Sequence, residues 1–435
     1  MPDSNIFSRS LLGLACSVAL TTVNPSAQAS GFAVPELNPA GLAVSNALVA
    51  NPKMQAAIAY NPAAMSFHDG KSLSLATILV KPDLAVDTGS GSVDSGGNDL
   101  VAIPSVTAHA TLSDKWAIGI AVNAPFGLET EWPAGTYDSQ YPMYDDLDPN
   151  STKPNIPTQS KLEIVAFSPS VAHKVNENVS IAGGIDVYWA KTVILNSSVN
   201  TLAPLGSDPT IGLEGDGRGV GLNLGLMVNQ GAWSFGGSYH SEAKLPIKGS
   251  INSPNGSANV NADLKIPSRL QLGVRHQTTE KLGIEFDFTR TGWSSFDQLK
   301  VNEERYDQNV VTSTNNWENA NAFRLGATYD ITGATQLRVG FTLDKTPQGE
   351  TFFSPRIPDA DRQLFSMGIG HTLNNGWSID AGYMYVKFDD RSVDIDPGFS
   401  HPAPLDEETN GTSAVNGNYE ASVHLFGLGL TKKFM

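Results

Sequence analysis

Ser238-Tyr239-His240 is the nearest this 435-residue chain comes to a hydroxyl nucleophile beside a base. Acyl-transfer chemistry needs the base within hydrogen-bond reach of the hydroxyl and a third group to orient it. Neighbours in a strand point to opposite faces, so adjacency alone does not supply that geometry. No Gly-x-Ser-x-Gly is present, and His109, His173, His276 and His371 are scattered without zinc-like spacing. The run Asp145-Asp146-Leu147-Asp148-Pro149-Asn150 offers carboxylates to calcium, but the regular ligand spacing is missing and a solvated loop is the simpler reading. Cys16 is the only cysteine. It falls in an export leader, which leaves no disulfide framework and no thiolate metal site. The expectation is a protein that is not an enzyme, with no catalytic residues, no metal and no cofactor.

Two other segments stand out for what they do to a backbone. In Asn123-Ala124-Pro125-Phe126-Gly127-Leu128, Pro125 cannot donate to a strand ladder. Gly127 adds little side chain and much backbone freedom. Together they suit a break in pairing at one point of a sheet, with an ordinary rim bulge as the plainer alternative. Asn61-Pro62-Ala63 reads as a turn in which Asn61 caps its own backbone.

The sheet that would hold them is written in period two. Leu282, Ile284, Phe286 and Phe288 alternate with Gly283, Glu285, Asp287 and Thr289. The stretches 323–330, 336–344 and 377–385 repeat the pattern. About fourteen such segments occur, and several reach the ~9–11 residues that cross a bilayer as strands. Tight joins such as Asn229-Gln230-Gly231 and Asn374-Asn375-Gly376 alternate with long polar stretches near 132–160, 196–216 and 391–417. Short connections on one side and long on the other are the signature of an outer-membrane β-barrel. Trp116, Trp132, Trp233, Trp293, Trp317 and Trp377 lie near segment ends, as interface girdles do.

The N-terminus carries Arg9, the apolar run Leu11–Leu20 and the cleavage pattern Ala27-Gln28-Ala29, so residues 1–29 read as a signal peptide. No later stretch approaches the ~18 apolar residues of a spanning helix. The formal charge of −16 argues against nucleic acid as a partner. Residues 30–70 do not alternate and are broken by Pro35, Pro39, Pro52 and Pro62. Their apolar content is too high for a disordered tail. A plug inside the barrel of residues 71–435 is the better reading, with room left by lumenal glycines such as Gly219, Gly221, Gly225, Gly340 and Gly382.

Taken in order, Ser30-Gly31-Phe32, Asn61-Pro62-Ala63-Ala64-Met65, Asn123–Trp132, Thr291–Leu299 and Ile357–Arg362 resemble the FadL-like family of outer-membrane channels for long-chain fatty acids and other hydrophobic compounds. The resemblance covers nearly the whole mature chain. It implies an all-β fold: a fourteen-stranded antiparallel transmembrane β-barrel with an N-terminal hatch in its lumen. It also implies passive uptake, with gating by Gly31, Phe32, Asn61, Pro62 and Ala63. Exit is lateral, through a kink in the third strand at Asn123, Pro125, Phe126, Gly127 and Leu128. Expected partners are a hydrophobic small molecule, outer-membrane lipid and lipopolysaccharide, in the outer membrane of a Gram-negative bacterium. A single closed barrel needs no partner to cover an edge, so a monomer is expected.

Where fatty-acid-specific members carry an arginine near the end of the fifth strand, this chain has Asn196. Arg324, Arg338 and Arg362 are expected to pair with lumenal carboxylates such as Glu285, Asp287 and Asp380. A neutral hydrocarbon, aromatic or ester substrate therefore stands beside the fatty acid. A general porin for polar solutes is the alternative outside the family, but it needs an open polar lumen that an apolar plug opposes. An adhesin or phage receptor is a third class, for which nothing in the loops specifies a partner.

Overall fold

The computed structural model describes residues 31–97, 99–140, 156–198, 210–253, 256–396 and 410–434. The leader and the acidic run Asp145–Asp148 lie outside the described residues. Twenty strand segments join in one antiparallel sheet. Four wall strands are each built from two segments and two further segments are short rim pieces, Ser92–Asp94 and Arg391–Val393, so the wall has fourteen strands. Strands one to six are Lys71–Asp87, Val101–Ser113, Trp116–Glu131, Ile156–Asn176, Val179–Ser198 and Thr210–Gln230. Strand seven is Trp233–His240 with Ala243–Ser253, and strand eight is Gly256–Ile266 with Arg269–Gln277. Strand nine is Leu282–Thr291 with Gln298–Glu303, and strand ten is Gln308–Thr314 with Ala320–Asp330. Strands eleven to fourteen are Thr335–Asp344, Arg362–Thr372, Trp377–Phe388 and Gly417–Phe434. The first strand pairs with the last, from Lys71 opposite Phe434 to Asp87 opposite Asn418, and closes the barrel.

Alternation sets which way each strand faces, and here the polar set is the hidden one. Phe286 is 45% exposed on the outer wall while its neighbours Glu285 and Asp287 are 1% and 0% exposed inside. An apolar belt outside and a polar lining inside is the arrangement of a membrane barrel, the inverse of a soluble sandwich. Trp116, Trp233 and Trp377 are exposed at the tight-turn rim, and Lys432 lies over the Trp377 ring at 5.2 Å. The other three tryptophans depart from the girdle reading. Trp132, Trp293 and Trp317 are buried inside, because each follows or interrupts a strand where the chain turns inward.

Residues 31–70 fill the interior. A one-turn helix, Pro39–Leu42, starts on Asn38, whose Oδ1 accepts the Gly41 N–H at 2.8 Å, with Pro39 at the first position. Short 3-10 turns follow at Gln55–Ala59 and Pro62–Phe67. This irregular backbone cannot satisfy its own donors, so the wall does it. Asp287 accepts the N–H groups of Leu48 and Val49 at 3.0 and 3.1 Å, and Glu285 accepts that of Ala50 at 2.7 Å. Thr342 donates to the Ser45 carbonyl at 3.0 Å. Arg338 pairs with Asp380 at 2.5 Å, as expected. Arg362 instead takes Asp344 at 3.0 Å, Arg275 lies 3.8 Å from Glu285, and Arg324 donates to Thr289 at 3.3 Å.

The wall is hollowed where the segment touches it. A Cβ on Gly340 would sit 2.2 Å from the Val44 carbonyl carbon, and one on Gly225 would sit 2.6 Å from Asn61 Oδ1. Gly382 likewise faces Pro39. Gly219 makes room for strand seven instead, its Cβ position lying 2.4 Å from the Lys244 carbonyl. Gly340→Val should therefore loosen the lumenal segment without opening the wall, since overpacking of this kind costs about 1–3 kcal/mol. Limited proteolysis should cut within residues 31–70 sooner than in wild type, while heat-modifiable mobility shows an intact barrel. Equal resistance of both proteins would mean that the segment does not lean on Gly340.

Candidate functional site

Strands two and three pair from Ser113 opposite Trp116 up to Val106 opposite Val122, and there the ladder stops. Between strands three and four the register slips, with Asn123 opposite Ala166 and Phe126 opposite Ile164. Ala124 and Pro125 form the bulge. Above it, Asn123–Glu131 has lost its second-strand neighbour, and Pro104 lies in the unpaired part of that neighbour. An exposed strand edge is normally completed by another chain segment. Here the N-terminal residues do so. Ala33 bridges Phe126, the Val34 N–H donates to the Pro125 carbonyl at 2.8 Å, and the Gly127 N–H donates to the Phe32 carbonyl at 3.1 Å.

Phe32 is 3% exposed in an aromatic chamber. Its ring centroid lies 4.5 Å from Trp293, 5.3 Å from Phe296 and 5.9 Å from Phe126, all edge-to-face. Leu245 and Ile266 complete the apolar wall. Gly31 has φ +57°, and a Cβ there would lie 2.5 Å from Trp317, so both backbone and space require glycine. Its N–H donates to Asp359 Oδ2 at 3.0 Å, and the same oxygen accepts Thr346 Oγ1 at 2.7 Å. Asp359 comes from the loop between strands eleven and twelve. Burial pushes its carboxyl up to about 6, although Arg362, Thr346 and the Gly31 N–H all favour the charged form.

Asn61 does cap its own turn, accepting the Ala63 N–H at 3.1 Å, and it does more. Its Nδ2 donates to the carbonyls of Val49 and of Leu226 on strand six, both at 2.9 Å, which ties the turn to the wall. Pro62 and Asn123 line one small cavity of about 40 Å³ with Pro125 and Phe126, between the lumenal segment and the kink. The structure thus brings the two predicted groups of residues together. Leu128 is half-buried against the aromatic chamber. Gly127 has less to do than its type suggests, since a Cβ there would meet nothing nearer than 3.6 Å. The break belongs to Asn123–Phe126.

Sequence reasoning missed Asp359, Trp293 and Trp317 as partners of the N-terminus. Asp359 and Trp293 lie inside blocks singled out by resemblance, so the blocks were visible and their contacts were not. Ser238 and His240, two apart, both face inward and only Tyr239 points out. No serine–histidine pair results, because His240 Nδ1 is held by Asp186 at 2.6 Å and the Ser238 hydroxyl has no hydrogen-bond partner. Among the described residues no group of three or more His, Cys, Asp or Glu is placed to hold a metal ion.

Residues 20–434 match the family described as Outer membrane protein transport protein (OMPP1/FadL/TodX). The 47 kDa outer membrane protein of Pasteurella multocida is 26% identical, over 89% of this chain and 93% of its own length. The long-chain fatty acid transport protein of Escherichia coli is 23% identical, over 89% and 92%. Among solved structures, a Pseudomonas aeruginosa FadL homologue superposes with a TM-score of 0.76 at 20% identity, covering 93% of this chain and all of that one. The toluene transporter TbuX of Ralstonia pickettii gives 0.65 at 16%, covering 92% and 98%.

The Gly31 N–H needs the Asp359 oxygen as its acceptor, and donating to it favours the charged carboxylate. Asp359→Ala, which removes the acceptor, should speed hydrogen exchange at Phe32–Val34 by at least about fivefold at constant pH. Heat-modifiable mobility checks that the barrel is assembled. Equal protection in both proteins would mean that the N-terminus does not lean on Asp359.

Proposed function

The chain belongs to the OMPP1/FadL/TodX family of outer-membrane transport proteins, and from that premise we propose that it takes up long-chain fatty acids or other hydrophobic molecules passively, through a hatch-gated side exit. It is a β-barrel of the outer membrane, and the family is one of transporters rather than enzymes. The observation that carries the proposal is the docking of residues 32–34 on the unpaired edge of strand three. At Pro125–Gly127 the open edge of strand three is covered by a segment that is not part of the wall, while Ser95 and Gly96 bond Glu131 at its far end.

Hydrophobic solutes cross a lipopolysaccharide layer poorly, and an apolar path offers about 0.8 kcal/mol per buried methylene. Leu195, Leu213, Val260 and Val301 form an apolar pocket at the outer end of the lumen, suited to first capture. The chamber holding Phe32 lies next on the way in. A solute entering it competes with the Phe32 ring for the same aromatic surfaces, so arrival loosens the N-terminus from strand three. The solute then leaves between strands two and three into outer-membrane lipid. Lipid and lipopolysaccharide surround the wall, and the protein acts as a monomer because no sheet edge is left open to another copy. The resemblance's arginine position is held by Asn196, which donates to Gln159 at 2.9 Å. The Arg356 guanidinium lies beside it, donating to the Asn196 carbonyl at 3.3 Å and to the Ser197 hydroxyl at 2.7 Å, and is taken up by these contacts. A neutral hydrocarbon remains the second reading.

Ala33 and Phe126 are an antiparallel pair flanked by its hydrogen bonds, the pairing in which side chains approach most closely. With the leader removed, the chain has no cysteine of its own. In an A33C/F126C variant, oxidation should lock the N-terminus to strand three. Cellular uptake of labelled oleate should fall at least about tenfold and recover on reduction. The F126C single variant controls for loss of the ring, and heat-modifiable mobility controls for assembly. Uptake that is indifferent to the disulfide would remove the side exit and return an axial pore to first place.

A further inference from the structure

Arg269 opens the second half of strand eight, immediately after the break at Pro267-Ser268. It lies opposite His240 on strand seven and Thr291 on strand nine, and it faces the cavity between the lumenal segment and the kink. Its guanidinium makes no hydrogen bond and no ion pair among the described residues. This sets it apart from Arg275, Arg338 and Arg362, each beside a carboxylate. The carboxylate sharing its cavity, Asp186, is already engaged by His240 at 2.6 Å, Asn223 at 2.8 Å and Tyr188 at 3.3 Å.

A second observation points the same way. The indole N–H groups of Trp293 and Trp317 are buried in the adjoining chamber without an acceptor. Donors without acceptors, indole or guanidinium, are unfavourable away from water. A carboxylate is acceptor-only, planar and anionic, and matches a guanidinium fork in two parallel hydrogen bonds. We propose that Arg269 receives the carboxylate of an amphipathic anion in transit, whose apolar body lies in the chamber that Phe32 otherwise fills. This inference rests on the transport reading and selects within it, favouring a fatty or aryl acid over a neutral hydrocarbon.

The test compares two probes of equal chain length, dodecanoate and 1-dodecanol, by equilibrium dialysis against the full barrel in amphipol at pH 8. Wild type should bind the acid at least about tenfold tighter than the alcohol. Arg269→Gln should abolish that ratio and leave the affinity for the alcohol unchanged. Arg269→Lys, which keeps the charge and loses the fork, should retain part of it. Equal affinity of wild type for both probes overturns the proposal, as does a preference that survives in Arg269→Gln. Should Arg269→Gln not assemble, the wild-type ratio and the Arg269→Lys value decide. Binding of neither probe to wild type overturns the transport reading as well, which separates that failure from one at Arg269.

Discussion

Irregular backbone at the depth of a membrane must find hydrogen-bond partners inside the protein, and the rest of this structure depends on that constraint. The lumenal segment has no regular ladder of its own. Its amides at residues 48–50 are taken by Asp287 and Glu285, the turn at Asn61 is tied to the Leu226 carbonyl, and Ser45 is tied to Thr342. The unpaired edge of strand three is the same problem seen from the wall, and Phe32 and Val34 answer it. Plug and gap are thus complementary defects. Each supplies donors and acceptors that the other lacks.

The wall was legible in the sequence because period two survives even where strands break. The polar face at Glu285 and Asp287 marked the lumen, and the rhythm of short and long joins marked the two rims. Glycines read as lumenal were right where they meet the plug, at Gly225, Gly340 and Gly382, and differently employed at Gly219. The tryptophans show where the pattern misleads. Position near a segment end is shared by a girdle residue and by one that turns inward at a strand break, so Trp116 and Trp293 look alike in sequence and lie on opposite sides of the wall. The site was legible in part. Pro125 announces a break, but where the ladder between strands two and three ends is a register property that no local residue type encodes. Contacts such as Gly31 with Asp359 span 328 positions and leave no local signal.

On the proposed transport reading, the same chamber accounts for a gate that is both closed and responsive. Two backbone hydrogen bonds of about 1 kcal/mol each hold residues 32–34 on strand three. Edge-to-face contacts of about 0.5–1.5 kcal/mol each hold the Phe32 ring. Together they amount to only a few kcal/mol. At about 0.8 kcal/mol per buried methylene, an alkyl chain of moderate length offsets that hold. Sugars and other polar solutes gain nothing on the same surfaces. Selectivity then needs no recognition of the solute beyond its apolar area, since only a molecule that replaces Phe32's contacts can displace it. A head-group anchor at Arg269 adds a second criterion without changing the first. On these proposals the apolar body opens the path, while the charge decides which of the bodies able to open it is held long enough to pass.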